Sequence, residues 1–234
     1  MDNISPFSVF QKMVPSTKEV VDIHFSKLKS QIDINDFKNN FSFHFQFLHD
    51  QIYKEFLILQ SKAFNKAFEN DLYHKELSFE RFDSFFLSLS NSRKVRSGAV
   101  FEKILERMLT HLSYPLDIQK KVDNKKVDFV LPSINFYNND PLNSILLSAK
   151  RTLRERWKQV VPEANKSNLF FLATIDEDIT ADQLKEMQKH RVFIVNTKKN
   201  INYISHYKEA NNMISFEHFI DFYLDHQMKS WEEK

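Results

Sequence analysis

The sequence predicts an α/β fold: a central mixed β-sheet flanked by helices, preceded by a mainly helical region. Three observations predict it. Short apolar runs at 126–131, 144–149, 169–175 and 192–195 have the length of buried strands rather than of helices. Helical patterns alternate with those runs from about residue 90 onward, the order expected of a layered α/β core. The first ninety residues are rich in Phe at helical spacing. This divides the chain into a mainly helical region at 1–90 and a core at 91–234.

In the first region, Ile52, Phe56, Leu59, Ala63 and Ala67 fall on one helical face, with Tyr53, Leu57, Phe64 and Phe68 beside them. Phe41, Phe43, Phe45 and Phe47 alternate, which leaves a short strand open ahead of that helix. Further on, Val100, Ile104, Leu105, Met108, Leu109 and Leu112 form an amphipathic helix that Tyr114-Pro115 ends. The run 126–131 is a strand stopped by Pro132, and 144–149 is a second. Helix at 153–161, strand at 169–175, helix at 180–189, strand at 192–195 and a closing helix at 215–224 complete the order. Thr180 and Gln183 have the spacing of a capping box. Gly98, the only glycine, suggests a special backbone conformation before the helix of Glu102. The acidic run 176–179 reads as a solvated turn.

Composition excludes several functions. With no Cys, disulfides, zinc–thiolate sites and thiol nucleophiles are ruled out. No window approaches the ~18 uncharged apolar residues of a membrane span, so no membrane partner is expected. The opening MDNISPFSVFQKM lacks the basic and apolar segments of a secretory signal, which points to the cytoplasm. A net charge of +2 is too small for a protein that merely coats DNA. The positive charge is local instead, with Arg93, Lys94 and Arg96 in one cluster and Lys150, Arg151, Arg154, Arg156 and Lys158 in another. The nine His residues show no metal-ligand spacing.

The chemistry is concentrated in Lys126-Val127-Asp128-Phe129 and Ile145-Leu146-Leu147-Ser148-Ala149-Lys150. Each places a charge within or at the end of an otherwise buried strand, where it needs a partner, a metal or a role. Side by side, Asp128 can hold Mg²⁺ through oxygen while Lys150 orients or deprotonates a water. A second acid is usual two residues before such a Lys, but Ser148 stands there. Glu163, thirteen residues after Lys150, can substitute from the following helix, and Glu102 can support the site from the preceding one.

Four blocks, in order and over residues of about 85–230, carry a more specific resemblance. They are Ser92-Arg93-Lys94-Val95-Arg96-Ser97-Gly98 leading to Glu102; Asn124 to Phe129 with Pro132-Ser133; Ala149-Lys150-Arg151-Thr152-Leu153-Arg154-Glu155-Arg156-Trp157-Lys158-Gln159; and Glu163-Ala164. Together they resemble the group formed by the EcoRII catalytic domain, PspGI and SsoII, within the PD-(D/E)XK nuclease superfamily. The resemblance implies Asp128 and Glu163 as metal ligands, Lys150 as catalytic lysine and Glu102 as supporting acid. It implies Arg154, Glu155 and Arg156 as readers of C·G pairs: Arg suits guanine O6 and N7, and Glu accepts from cytosine N4. Arg93, Lys94 and Arg96 are expected on the phosphate backbone, which positions a protein without specifying sequence. One departure is Pro162, which removes a helical hydrogen bond just before Glu163.

The expected function is therefore that of a type II restriction endonuclease. It would act as a homodimer on double-stranded DNA with Mg²⁺, at a palindrome built on CC…GG (CCNGG, CCWGG or CCGG), leaving 5′-phosphate ends. A companion DNA methyltransferase is implied, since the host must protect its own sites. The sequence also fits two alternatives: a structure-directed nuclease of the same superfamily, acting in repair or on mobile elements, and a non-catalytic DNA-binding protein that keeps the fold.

Overall fold

The computed structural model describes residues 6–68, 79–122, 125–153 and 170–232. It divides into two compact units, residues 1–30 with 47–104 and residues 31–46 with 105–234.

The first unit is helical among its described residues. Helix α1 (Pro6–Met13) and helix α2 (Thr17–Lys29) are followed by parts of two long helices, α4 (Phe41–Phe68) and α5 (Phe79–His111). A capping box starts α2, where the Ser16 hydroxyl accepts from the Glu19 N–H and the Glu19 carboxylate accepts from the Ser16 N–H. Phe10, Ala63, Phe85 and Leu89 make a small core, with the Phe10 and Phe85 rings edge to face at 5.6 Å.

The alternating Phe residues are helical, not extended. Phe41, Phe45, Leu48 and Ile52 recur at helical spacing and are fully buried, whereas Phe43 and Phe47 between them are exposed. A Phe at every second position thus mimics a strand only because both faces of this helix carry Phe. In the second unit the Phe45 ring stacks on Phe216 at 5.2 Å, and Phe37, on α3 (Ile34–Asn39), meets His111 edge-on at 5.0 Å.

Among the described residues of the second unit, six strands form one sheet in sequence order: β1 (Asp117–Val122), β2 (Lys125–Leu131), β3 (Ile145–Ala149), β4 (Phe170–Ala173), β5 (Val192–Asn196) and β6 (Met213–Ser215). The pairs β1–β2 and β2–β3 are antiparallel, and β3 through β6 run parallel to one another. This is the mixed sheet expected. Strands β3, β4 and β5 read as continuous apolar runs because both faces of a parallel sheet are covered. One face packs Val127, Leu146, Phe170, Leu172 and Ile194 against Leu184 and Met187 of the helix Ala181–Lys189. On the other, Phe171 meets Phe219 at 4.7 Å and Tyr223 at 4.8 Å. The Thr180–Gln183 capping box is present. No helix among the described residues is long and apolar enough to cross a membrane.

Two local expectations are corrected. Gly98 lies in the interior of α5 with no positive φ, so no special backbone conformation accounts for it. Nothing comes within 4 Å of the position a Cβ would take there. The acidic run after β4 is not simply solvated either, because Asp176 is buried and bonded on several sides. Its carboxylate accepts from the Leu153 N–H at 2.6 Å and the Asp178 N–H at 3.1 Å, while its carbonyl accepts from Tyr207 Oη and Asn196 Nδ2.

Candidate active site

Strands β2 and β3 pair through Leu131↔Ile145, Val130↔Leu146 and Phe129↔Leu147. One step further the backbone ladder gives way to a side chain. The Ala149 N–H donates to Asp128 Oδ2 at 2.7 Å, and the Ser148 hydroxyl donates to the same oxygen at 3.2 Å. The Lys150 N–H turns the other way and donates to the Ala173 carbonyl of β4 at 2.9 Å. The two strands therefore part at this point, with the Asp128 carboxylate bridging the opening.

Lys150 Nζ lies 2.6 Å from Asp128 Oδ2. Asp128 is only 6% exposed, so its charge needs these donors; Lys150 is partly open to solvent. Among the described residues the other oxygen, Oδ1, has a single partner, the Gln119 side-chain amide at 3.3 Å. Oδ2 is thus saturated and Oδ1 lightly held. A hard cation such as Mg²⁺ takes oxygen ligands and is commonly bound by one or two carboxylates together with substrate phosphate. The Asp128 carboxylate fits such an ion. Among the described residues no group of three His, Cys, Asp or Glu gathers around a common point.

The chain after Lys150 is tied down at its root. The Thr174 hydroxyl donates to the Arg151 carbonyl at 3.1 Å, and Asp176 holds the Leu153 N–H. Burial pushes the Tyr207 hydroxyl above its ordinary pKa, keeping it protonated as the donor to the Asp176 carbonyl. Neither Gln119 nor Asp176 was expected at this site. Gln119 falls in a polar stretch without strand alternation, and Asp176 in a run of acids that looks like an ordinary turn.

The structure thus brings Asp128 and Lys150 together. Glu102 is half-buried on α5, in the first unit. Glu163, Arg154, Glu155 and Arg156 lie outside the described residues. Arg93, Lys94 and Arg96 lie along α5. Arg93 Nε donates to Gln60 Oε1 at 2.8 Å, the Arg96 guanidinium lies over the Phe56 ring at 4.8 Å, and Lys94 is exposed. Burial, and secondarily the charge of Arg93, lower the Arg96 pKa from its ordinary value.

Residues 56–220 match the family model described as EcoRII C terminal. The chain belongs to the EcoRII C-terminal family. The resemblance read from the four blocks is borne out, as is the restriction-endonuclease-like α/β fold. Among curated relatives, the type II restriction enzyme SsoII of Shigella sonnei is 35% identical over 144 residues, covering 56% of this chain and 47% of that protein. The type II restriction enzyme EcoRII of Escherichia coli is 32% identical over 123 residues, covering 50% of this chain and 30% of that protein. The chain therefore spans less than half the length of these curated relatives. Among solved structures, metal-depleted Ecl18kI in complex with uncleaved DNA superposes with a TM-score of 0.83 at 26% identity, covering 99% of this chain and 87% of that one. The PspGI–substrate DNA complex gives 0.74 at 17% identity, covering 96% of both chains, and supports the fold of this EcoRII C-terminal family member.

Proposed function

We propose that this chain is a type II restriction endonuclease that hydrolyses double-stranded DNA at a short palindrome with a divalent cation, Mg²⁺. The observation that carries the proposal is the Asp128–Lys150 pair where β2 and β3 part, in a chain of the EcoRII C-terminal family. Names of relatives as type II restriction enzymes, and the DNA in the similar Ecl18kI structure, support the reading.

In this mechanism Asp128 and Glu163 would hold the ion, with Glu102 as the supporting acid that the family resemblance implies. The bound cation supplies Lewis-acid stabilisation of the charge that builds on the scissile phosphate. Lys150 orients the attacking water and places its ammonium beside that charge. In-line attack on phosphorus, with the 3′ oxygen leaving, yields 5′-phosphate and 3′-hydroxyl ends. Arg154, Glu155 and Arg156 read adjacent C·G pairs of a site built on CC…GG, each good bidentate contact contributing ~1–3 kcal/mol of discrimination. Arg93, Lys94 and Arg96 hold the phosphate backbone. A homodimer matches its two-fold axis to the palindrome, with residues 1–90 serving dimerisation or DNA contact. A methyltransferase protects the host DNA, and the enzyme works in the cytoplasm.

The test is digestion of a sequenced plasmid with and without Mg²⁺, alongside Lys150→Ala, with the fragment ends mapped. Discrete Mg²⁺-dependent cuts at one palindrome, absent in the variant, are expected. Sequence-blind degradation would replace the proposal with a structure-directed nuclease. Binding without cutting would replace it with a DNA-binding module.

A further inference from the structure

Gln119 stands out within β1. The strand pairs with β2 on either side of it, through Ile118↔Phe129 and Lys120↔Val127. At Gln119 itself the backbone turns to φ 54, the left-handed region that residues with a Cβ avoid. That position lies opposite Asp128 in the register, and the Gln119 amide Nε2 donates to Asp128 Oδ1 at 3.3 Å. A left-handed, non-glycine residue inside an edge strand carries local strain, and strain of this kind clusters at functional sites. Here its product is an amide placed on the lightly held oxygen of the site.

We infer that Gln119 is a ligand-side residue of the cation site, supplying a neutral oxygen beside Asp128 in partial compensation for Ser148. The inference rests on the cation-dependent reading above. An amide carries a donor and an acceptor on one rotatable terminus. With its N–H₂ it steadies Oδ1; with the amide turned over, Oε1 offers a hard oxygen to an ion bound on Oδ1. Ser148, where a second carboxylate is usual, is committed as a donor to Asp128 Oδ2. A neutral carbonyl ligand adds no further negative charge beside the buried Asp128.

The experiment is Mn²⁺ titration of the full chain, read by loss of the free-ion paramagnetic resonance signal, with melting temperatures measured in parallel. Gln119→Ala and Gln119→Gly are expected to weaken Mn²⁺ binding roughly tenfold. Gln119→Glu, which restores an oxygen donor, is expected to bind at least as tightly as the native chain. Gln119→Gly relieves the left-handed backbone, so its melting temperature should not fall, which separates lost ligation from lost fold. Native Mn²⁺ affinity in both Gln119→Ala and Gln119→Gly overturns the inference. If Asp128→Ala abolishes binding in that case, the cation reading stands without Gln119; if Asp128→Ala also binds normally, both fall.

Discussion

Consider the double-mutant cycle of Asp128→Ala and Lys150→Met. Among the described residues the buried Asp128 carboxylate has four donors: the Ala149 N–H, the Ser148 hydroxyl, the Gln119 amide and the Lys150 ammonium. Lys150→Met removes the charged donor at 2.6 Å and leaves three. A hydrogen bond to a charged group contributes ~1.5–3 kcal/mol. The Lys150 side chain is 25% exposed, so solvent screens part of the attraction, and a loss of about 2 kcal/mol follows, short of the ~3–5 kcal/mol for breaking a fully buried pair. Asp128→Ala should cost more, about 3 kcal/mol, because it also orphans the Ala149 N–H at the parting of the strands. In the double variant the ammonium is no longer stranded, so the total should fall below the sum by about 1.5 kcal/mol. Urea unfolding followed by far-ultraviolet circular dichroism measures all four corners, with Lys150→Met expected to move the midpoint by roughly 1 M. Additivity within about 0.5 kcal/mol would refute the reasoning, since it would mean that the pair is not coupled in solution.

Gly98→Ala should raise stability by about 1 kcal/mol, because the position is helical and a Cβ there meets nothing within 4 Å; a thermal melt that fails to rise counts against this. Phe171→Ala empties the contact with Phe219 and Tyr223 and should cost ~3–5 kcal/mol in the same assay, with a loss under about 1 kcal/mol contradicting the packing described. His24 makes a pH prediction. Burial, opposed by the Glu55 charge, holds its folded pKa below the ordinary 6.5, so the unfolded chain binds more protons. Its stabilising contribution is complete above about pH 6.5 and is lost as pH falls through the depressed folded value. His24→Gln should flatten the pH dependence of the urea midpoint in that acidic window, and an unchanged slope would count against the assignment.

The strands most legible in the sequence were those buried on both faces, because β3, β4 and β5 hold almost nothing but apolar residues. Strand β1 was missed because it is an edge, and its sequence DIQKKV carries the lysines that blunt edges rather than an alternating pattern. Strand β6 spans only Met213–Ser215, too short to show a period. The Phe alternation at 41–47 misled because hydrophobicity alone does not say which Phe is buried. At the site, Asp128 and Lys150 were legible as charges out of place on apolar strands. Asp176 was not, since its burial comes from partners as distant in sequence as Leu153, Asn196 and Tyr207. Gln119 was invisible for the same reason: its significance is a backbone angle and a register, neither of which a residue type announces.

The Ala149 N–H on Asp128 has a consequence for how the site meets its charge. The main chain of β3 fixes the carboxylate, so its rotamer is chosen when the strands pair. In the proposed reaction a cation or a phosphate arriving later would find that group already oriented, with no binding energy spent on ordering it. The same bond makes β2–β3 register and carboxylate placement one event. A one-residue slip would turn Asp128 to the opposite face of the sheet, so a mispaired sheet would also lack this acid at the parting of the strands. Assembly of the sheet and arming of the site are in that sense a single step.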